Sequence, residues 1–184
     1  MTPRDDILAG YRGRVDAIEP VPSDLVPAGA ASVDAVRDLL ARTDDESGGD
    51  AALVSRDDAA AFNAIGTPDR GFIFYARAGA RLVGYGRLDR GQSEAATLGV
   101  VALTVLAAYR RKGLGEALMR ALLGAAANEG VGEVWLAVRP DNTPALRLYE
   151  KLGFARDACH PLGHLALPDE LTMVWYPTGR GSRE

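Results

Sequence analysis

The stretch from Leu98 to Gly130, LGVVALTVLAAYRRKGLGEALMRALLGAAANEG, constrains this chain more than any other. Its apolar run, rich in valine and leucine, reaches Tyr109 and stops at RRKGLG. The residues that follow place Leu114, Leu118, Ala121, Leu122 and Ala125 on one stripe at helical spacing, with Glu116 and Arg120 off it. The pattern predicts a buried strand, a glycine loop and a helix in that order. A loop of this kind offers N–H groups without intrahelical acceptors at the positive end of a helix dipole, which suits a phosphate. Gly113 and Gly115 allow close approach of the main chain, and Arg110, Arg111 and Lys112 add charge. A P-loop is excluded, because Glu116-Ala117 stands where a Lys-Ser/Thr pair is required. A dinucleotide fingerprint is disfavoured by Leu118, which takes the place of its third glycine; an ordinary βα turn on a basic surface stays open.

The rest of the chain bounds the context. With 184 residues and 47% hydrophobic content it can close one core. A net charge of -4 and a pI near 5.3 argue against a nucleic-acid binder and fit a cationic partner better. Cys159 is the only cysteine, which fits a reducing compartment. The charged first residues do not read as a signal peptide, and the Leu98–Tyr109 run falls short of the ~20 residues of a membrane helix. A cytoplasmic location with no membrane partner is expected.

Pro3, Pro20, Pro22 and Pro27 mark residues 1–31 as an arm, with one strand near Val15 to Ile18. Residues 32–177 form the domain and 178–184 a flexible tail. Ser32 suits the N-cap of a helix carrying Val33, Val36, Leu39 and Leu40. The acidic stretch TDDESGGD (43–50) reads as a loop, followed by a helix through Ala59 to Ile65. Phe72 to Ala76 and Arg81 to Leu88 read as a hairpin turning at Ala78-Gly79.

A second informative segment is VWLAVRPDNTPALRLYEKLGF (134–154). Val134, Trp135, Leu136 and Val138 form a buried strand; Thr143 can cap the next helix, Pro144 suits its first turn, and Gly153 its C′ position. Ala145, Leu148, Tyr149 and Leu152 share one stripe, on which Tyr149 by itself reads as a core aromatic.

Together the two segments resemble the GNAT acetyltransferases. LTVLAAYRRKGLGEAL is similar to the family's Arg/Gln-x-x-Gly-x-Gly/Ala loop after a bulged strand, with Arg110, Gly113 and Gly115 at the marked positions. Asn142, Ala145, Leu148, Tyr149, Gly153 and Phe154 match its second motif, which here is closest to the ribosomal-protein alanine acetyltransferase type. The layout also resembles one half of mycothiol synthase. The resemblance covers roughly residues 72–176. It implies an α/β fold whose central mixed, mostly antiparallel sheet splays between strands 4 and 5, with helices on both faces.

The resemblance further implies acetyl-CoA as donor substrate. Leu103, Thr104 and Val105 would pair with its pantetheine arm, and Arg110, Arg111, Lys112, Gly113, Leu114, Gly115 and Glu116 would surround the pyrophosphate. Asn142, Ala145 and Tyr149 would line the other wall. An N–H near Val105 would meet the thioester carbonyl, and Tyr149 would protonate the leaving thiolate. The acceptor would be a small amine or a protein N-terminus, attacking directly in a ternary complex, and the chain a monomer or homodimer. A non-catalytic acyl-CoA sensor is the alternative.

An alkyl amine with a pKa near ~10.4 is about one part in a thousand neutral at pH 7, so something must take its proton. The family's usual glutamate positions hold Gly99 and Ala137 here. That departure weighs against the ribosomal-protein subtype. Glu94, His160 and His164 are candidate bases, each expected on the surface. A metal held by Cys159, His160 and His164 is not expected, since Pro161 and Gly163 break the helix that this spacing needs. Ala155 to Leu167 instead begins a late hairpin returning through LTMVWY (171–176), which in the family borders the acceptor site.

Overall fold

The computed structural model describes residues 25–46, 55–67, 69–90, 97–161, 163 and 166–177. The strand expected near Val15 to Ile18, and the candidate bases Glu94 and His164, lie outside them.

One seven-stranded sheet organises the chain, in the order β1-β2-β3-β4-β5-β7-β6. Its strands are β1 Leu25–Pro27, β2 Gly71–Ala78, β3 Arg81–Arg90, β4 Thr97–Val105, β5 Glu133–Val138, β6 Ala155–Arg156 and β7 Leu171–Trp175. Among the described residues four α-helices accompany them: α1 Val33–Glu46, α2 Arg56–Ala64, α3 Leu114–Asn128 and α4 Thr143–Lys151. Every pairing is antiparallel except β4 with β5. Among the described residues no helix is long and apolar enough to cross a membrane.

Several local readings shift. Leu25–Pro27, inside the stretch read as an arm, pairs with Ala76–Phe74 of β2, and Val26 and Ala28 join the core. Pro27 is tolerated because β1 is an edge strand. Ser32 does cap α1, its Oγ accepting from Ala35 N at 3.3 Å. That helix runs to Glu46, into the acidic stretch expected as a loop, because packing against the sheet outweighs a polar composition. The apolar run to Tyr109 likewise divides: β4 ends at Val105 and a short 3₁₀ turn occupies Ala107–Tyr109.

The two faces of the sheet follow from its register. A Cβ on Gly86 of β3 would lie 2.7 Å from Leu122 of α3, so Gly86 and its cross-strand partner Leu103 face α3. The alternate residue Tyr85 meets Phe62 of α2 edge-on, ring centroids 5.1 Å apart, and Arg87 lies over the same ring. Helices therefore cover both faces, α3 on one and α1–α2 on the other. Residues Gly71 to Ala76 of β2 are buried throughout, since both sides of that strand are covered. Leu118 and Leu122 of α3 are fully buried, each contributing roughly 1.5–3 kcal/mol.

Candidate active site

The parallel β4–β5 ladder is short. Thr97, Leu98 and Gly99 pair with Glu133, Val134 and Trp135, and no pairing continues beyond them. From there β5 stays with β7, while β4 stays with β3 through Val105↔Gly84. A slip in the β3–β4 register, where Arg87 pairs with Ala102 but Leu88 with Val100, inserts one extra residue in β4 just past the last β4–β5 pair. A bulge adds twist and re-aims a strand, so β4 swings away from β5. The edge of Leu103, Thr104 and Val105 that faces β5 is left open.

The loop after β4 leaves the start of α3 without a side-chain cap. Arg111 at φ 58 and Gly113 at φ 80 both take left-handed backbone, and Gly113 is the N-cap of α3 with no side chain capping the helix. The first-turn N–H groups of Leu114, Gly115 and Glu116 point out of a 15-residue helix toward this end. An arginine in the left-handed region costs roughly 1–2 kcal/mol, a strain typical of loops that serve a ligand.

The loop's three cations do different work. Arg110 bonds Val105 O through Nε at 2.7 Å and Glu46 of α1 through Nη2 at 3.1 Å, and Glu46 also accepts the Ala107 N–H. Arg110 therefore braces the loop entry rather than reaching outward. Lys112 bonds Ala108 O and lies over the Tyr109 ring. Arg111 has no side-chain partner among the described residues. Glu116, whose N–H was the expected contribution, also carries a carboxylate bound by Lys151 of α4 at 2.6 Å and by Arg120. Burial raises its pKa, but these hydrogen bonds outweigh it and hold the carboxyl below its ordinary value.

Helix α4 packs against this start of α3. Its N-cap is Asn142, not Thr143: Asn142 Oδ1 accepts the Ala145 N–H at 3.3 Å. The turn Arg139–Asn142 leads into the helix one residue earlier than the threonine reading allowed. The Asn142 amide NH₂ keeps its donor capacity. Leu148 comes within 3.7 Å of a Cβ built on Gly115, so the two helices meet at the mouth of the loop. Tyr149 is 8% exposed and packs on Phe154 at 5.6 Å between ring centroids. Its hydroxyl makes no hydrogen bond among the described residues, and burial pushes its pKa above the ordinary phenol value.

The other face of the splay carries Gly99, Ala102, Thr104, Trp135 and Ala137, together with Arg87 and Asp89. A Cβ on Gly99 would lie 3.2 Å from Trp135 Nε1, so the indole fills the space above that glycine. Trp135 in turn stacks on His160, ring centroids 6.0 Å apart. His160 was expected on the surface; its side chain is only 2% exposed, with Nε2 3.3 Å from Glu133 Oε1. The late hairpin folds it beneath the sheet, which local sequence could not reveal. Missed as well were Glu46, Glu133, Arg87 and Asp89, since charged residues at strand and helix ends carry no signal of their partners.

The structure thus brings together a splayed sheet with an open strand edge, an uncapped helix start after a glycine loop, and a helix that packs on that start and carries a buried phenol. Residues 33–154 match the model of the Acetyltransferase (GNAT) family, and the chain belongs to that family. It is 40% identical over 88 residues to an uncharacterised N-acetyltransferase of Mycobacterium tuberculosis, covering 48% of this chain and 55% of that one. It is 39% identical over 99 residues to the N-alpha-acetyltransferase RimI of the same organism, covering 53% and 60%. Over 46 residues it is 48% identical to the ribosomal protein bS18 alanine N-acetyltransferase of Escherichia coli, covering 25% and 31%. The matches thus span about half the length of the first two relatives and a third of the last. The fold is shared with a putative Salmonella typhimurium acetyltransferase solved with acetyl-CoA (TM-score 0.68, 18% identity, 89% of this chain and 98% of that one). It is shared also with the Thermoplasma acidophilum PaiA N-acetyltransferase solved with coenzyme A (TM-score 0.64, 15% identity, 84% and 99%).

Proposed function

We propose that this chain transfers the acetyl group of acetyl-CoA to a primary amine by direct attack in a ternary complex. The observation that carries the reading is the open β4 edge at Leu103, Thr104 and Val105, which leads into the uncapped start of α3, where Leu148 of α4 packs against Gly115. Strand-edge N–H and C=O groups match the amides of a pantetheine arm, as a strand added to a sheet edge would. Leu114, Gly115 and Glu116 would give their N–H groups to the pyrophosphate, with Arg111 beside them, while Asn142 and Ala145 line the second wall. The donor supplies an activated thioester. An N–H of the open edge near Val105 would bear the oxyanion, and Tyr149 would protonate the departing thiolate.

The state of Tyr149 supports its part. A structural tyrosine usually satisfies its hydroxyl locally, and this one, buried and without a partner among the described residues, is held ready as a neutral donor. Acceptors in the class of α-amines fit the names of the mycobacterial and Escherichia coli relatives.

Thermal denaturation with CoA, ATP and NAD tests the donor site. A ligand at a hundredfold excess over its Kd stabilises the native state by about 2.7 kcal/mol. CoA should raise the midpoint well above the other two; equal shifts would remove the donor assignment. An amine panel read as free thiol then tests turnover.

A further inference from the structure

The last residue of the open β4 edge is held from outside the sheet. Leu106 N–H donates to Val83 O at 2.9 Å, so the polar main-chain groups of Leu106 face β3. Along an antiparallel strand these groups alternate in direction, so the N–H and C=O of Val105 face away from β3, into the splay. The C=O is already taken, because Arg110 Nε donates to Val105 O at 2.7 Å. What Val105 offers a ligand is therefore its N–H alone. The peptide group that follows it is bonded on both sides, its N–H to Val83 and its C=O to Arg110, which limits the rotation left to the neighbouring Val105 N–H.

The arginine is itself anchored. Its Nη2 donates to Glu46 Oε2 at 3.1 Å, and both Glu46 oxygens accept the Ala107 N–H, at 3.0 and 2.9 Å. Ala107 opens the 3₁₀ turn after β4, and that turn has no side-chain cap from Leu106. One carboxylate, on the last residue of α1, thus holds both the turn after Val105 and the guanidinium that holds Val105. Bonds to ionised groups are roughly twice as strong as neutral ones, so this anchor favours the inward pose of Arg110 over one turned toward a phosphate.

We propose that Arg110, anchored by Glu46, is a positioning residue that aims the Val105 N–H at the thioester oxygen and is not a ligand of the pyrophosphate; the inference rests on the acetyl-transfer reading above. A hydrogen bond to that oxygen strengthens as the oxygen gains charge, so an aimed N–H serves the transition state more than the bound donor. Arg110 and Glu46 therefore act on turnover and leave donor affinity alone.

The test uses Arg110→Met, Arg110→Gln, Glu46→Gln and the double variant Glu46→Gln/Arg110→Met. Each is read as kcat at saturating acetyl-CoA with a primary amine and as Kd for CoA by titration. Methionine removes the bond to Val105 O, and a misaimed group can cost up to about 10²-fold, so kcat should fall about tenfold or more with Kd within about threefold of wild type. Glutamine carries its Nε2 as many bonds from the main chain as the arginine Nε, without the charge, and should recover most of the lost kcat. Glu46→Gln should lower kcat by itself but add less than about threefold to the loss in the Arg110→Met background, because its effect passes through Arg110. The two side chains are 57% and 30% exposed, so the variants should fold, as thermal denaturation will show. A Kd for CoA raised more than about tenfold in both Arg110 variants would make the arginine a phosphate ligand and overturn the proposal. So would wild-type kcat in Arg110→Met, a glutamine no better than the methionine, or losses that multiply in the double variant. No turnover of any amine by wild type, with CoA still bound, would overturn the amine reading and this inference with it.

Discussion

Replacing Tyr149 with phenylalanine separates a packing role from the proposed role as catalytic acid. The ring packs on Phe154 and the residue is 8% exposed, so the substitution keeps its burial and contacts. Its hydroxyl has no hydrogen bond among the described residues, so no described bond is lost, and stability should change by no more than about 1 kcal/mol in either direction. Turnover should respond very differently. A positioned acid is worth roughly 10²–10⁴, and a thiol with a pKa near ~8.5 leaves readily enough to place the effect at the lower end. A hundredfold loss corresponds to about 2.7 kcal/mol of transition-state stabilisation. Thiol release on the best acceptor, CoA titration and thermal denaturation, run on the same preparations, give the three readouts. Near-native turnover would return Tyr149 to the role of a core aromatic. No turnover by wild type across a broad amine panel would instead favour a non-catalytic acyl-CoA-binding module.

Gly113→Asp places a carboxylate beside the proposed pyrophosphate, in backbone at φ 80 that aspartate tolerates with modest strain. At ~5 Å and an effective dielectric of ~20 the repulsion is about 3 kcal/mol, so CoA affinity by titration should fall more than a hundredfold while the fold survives; unchanged affinity would place the cradle elsewhere. Glu116 has a depressed native pKa, so its contribution to stability is present above its ordinary value of 4.5 and is lost as pH falls through the native one. Melting points of Glu116→Gln should therefore depend less on pH below 4.5 than those of wild type, and parallel curves would refute the coupling to Lys151 and Arg120. Tyr149 is raised, so it stays protonated up to and beyond pH 10, and stability linked to it is lost only as pH rises through its native value. An alkaline fall in turnover that begins well below pH 10 belongs to another group.

Much of the architecture was legible because it is local. Helical spacing identified α3 and α4, alternation identified the β2–β3 hairpin, and Gly113 marked the loop since few residues accept φ 80 there. Ser32 was readable as a cap for the same reason: its hydroxyl bonds an amide three residues on. Asn142 and Thr143 show where local reading falters, because both are good caps and only the path of the turn out of β5 decides between them.

The sequence by itself determined the order of elements from α1 onward, the glycine loop that opens α3 and the stripe that holds Tyr149, all properties of segments within reach of their own backbone hydrogen bonds. Only the tertiary structure decided the splay, which depends on a one-residue slip between β3 and β4 and on β5 choosing β7 over β4. Only it brought Asp89 beside Gly99, folded His160 under Trp135 and tied Glu46 to Arg110. Those partners are 10, 25 and 64 residues apart in the chain, and nothing in the local pattern of either member encodes the register that joins them. Pairing of that kind is set by which faces can be buried together, a property of the whole sheet rather than of any segment.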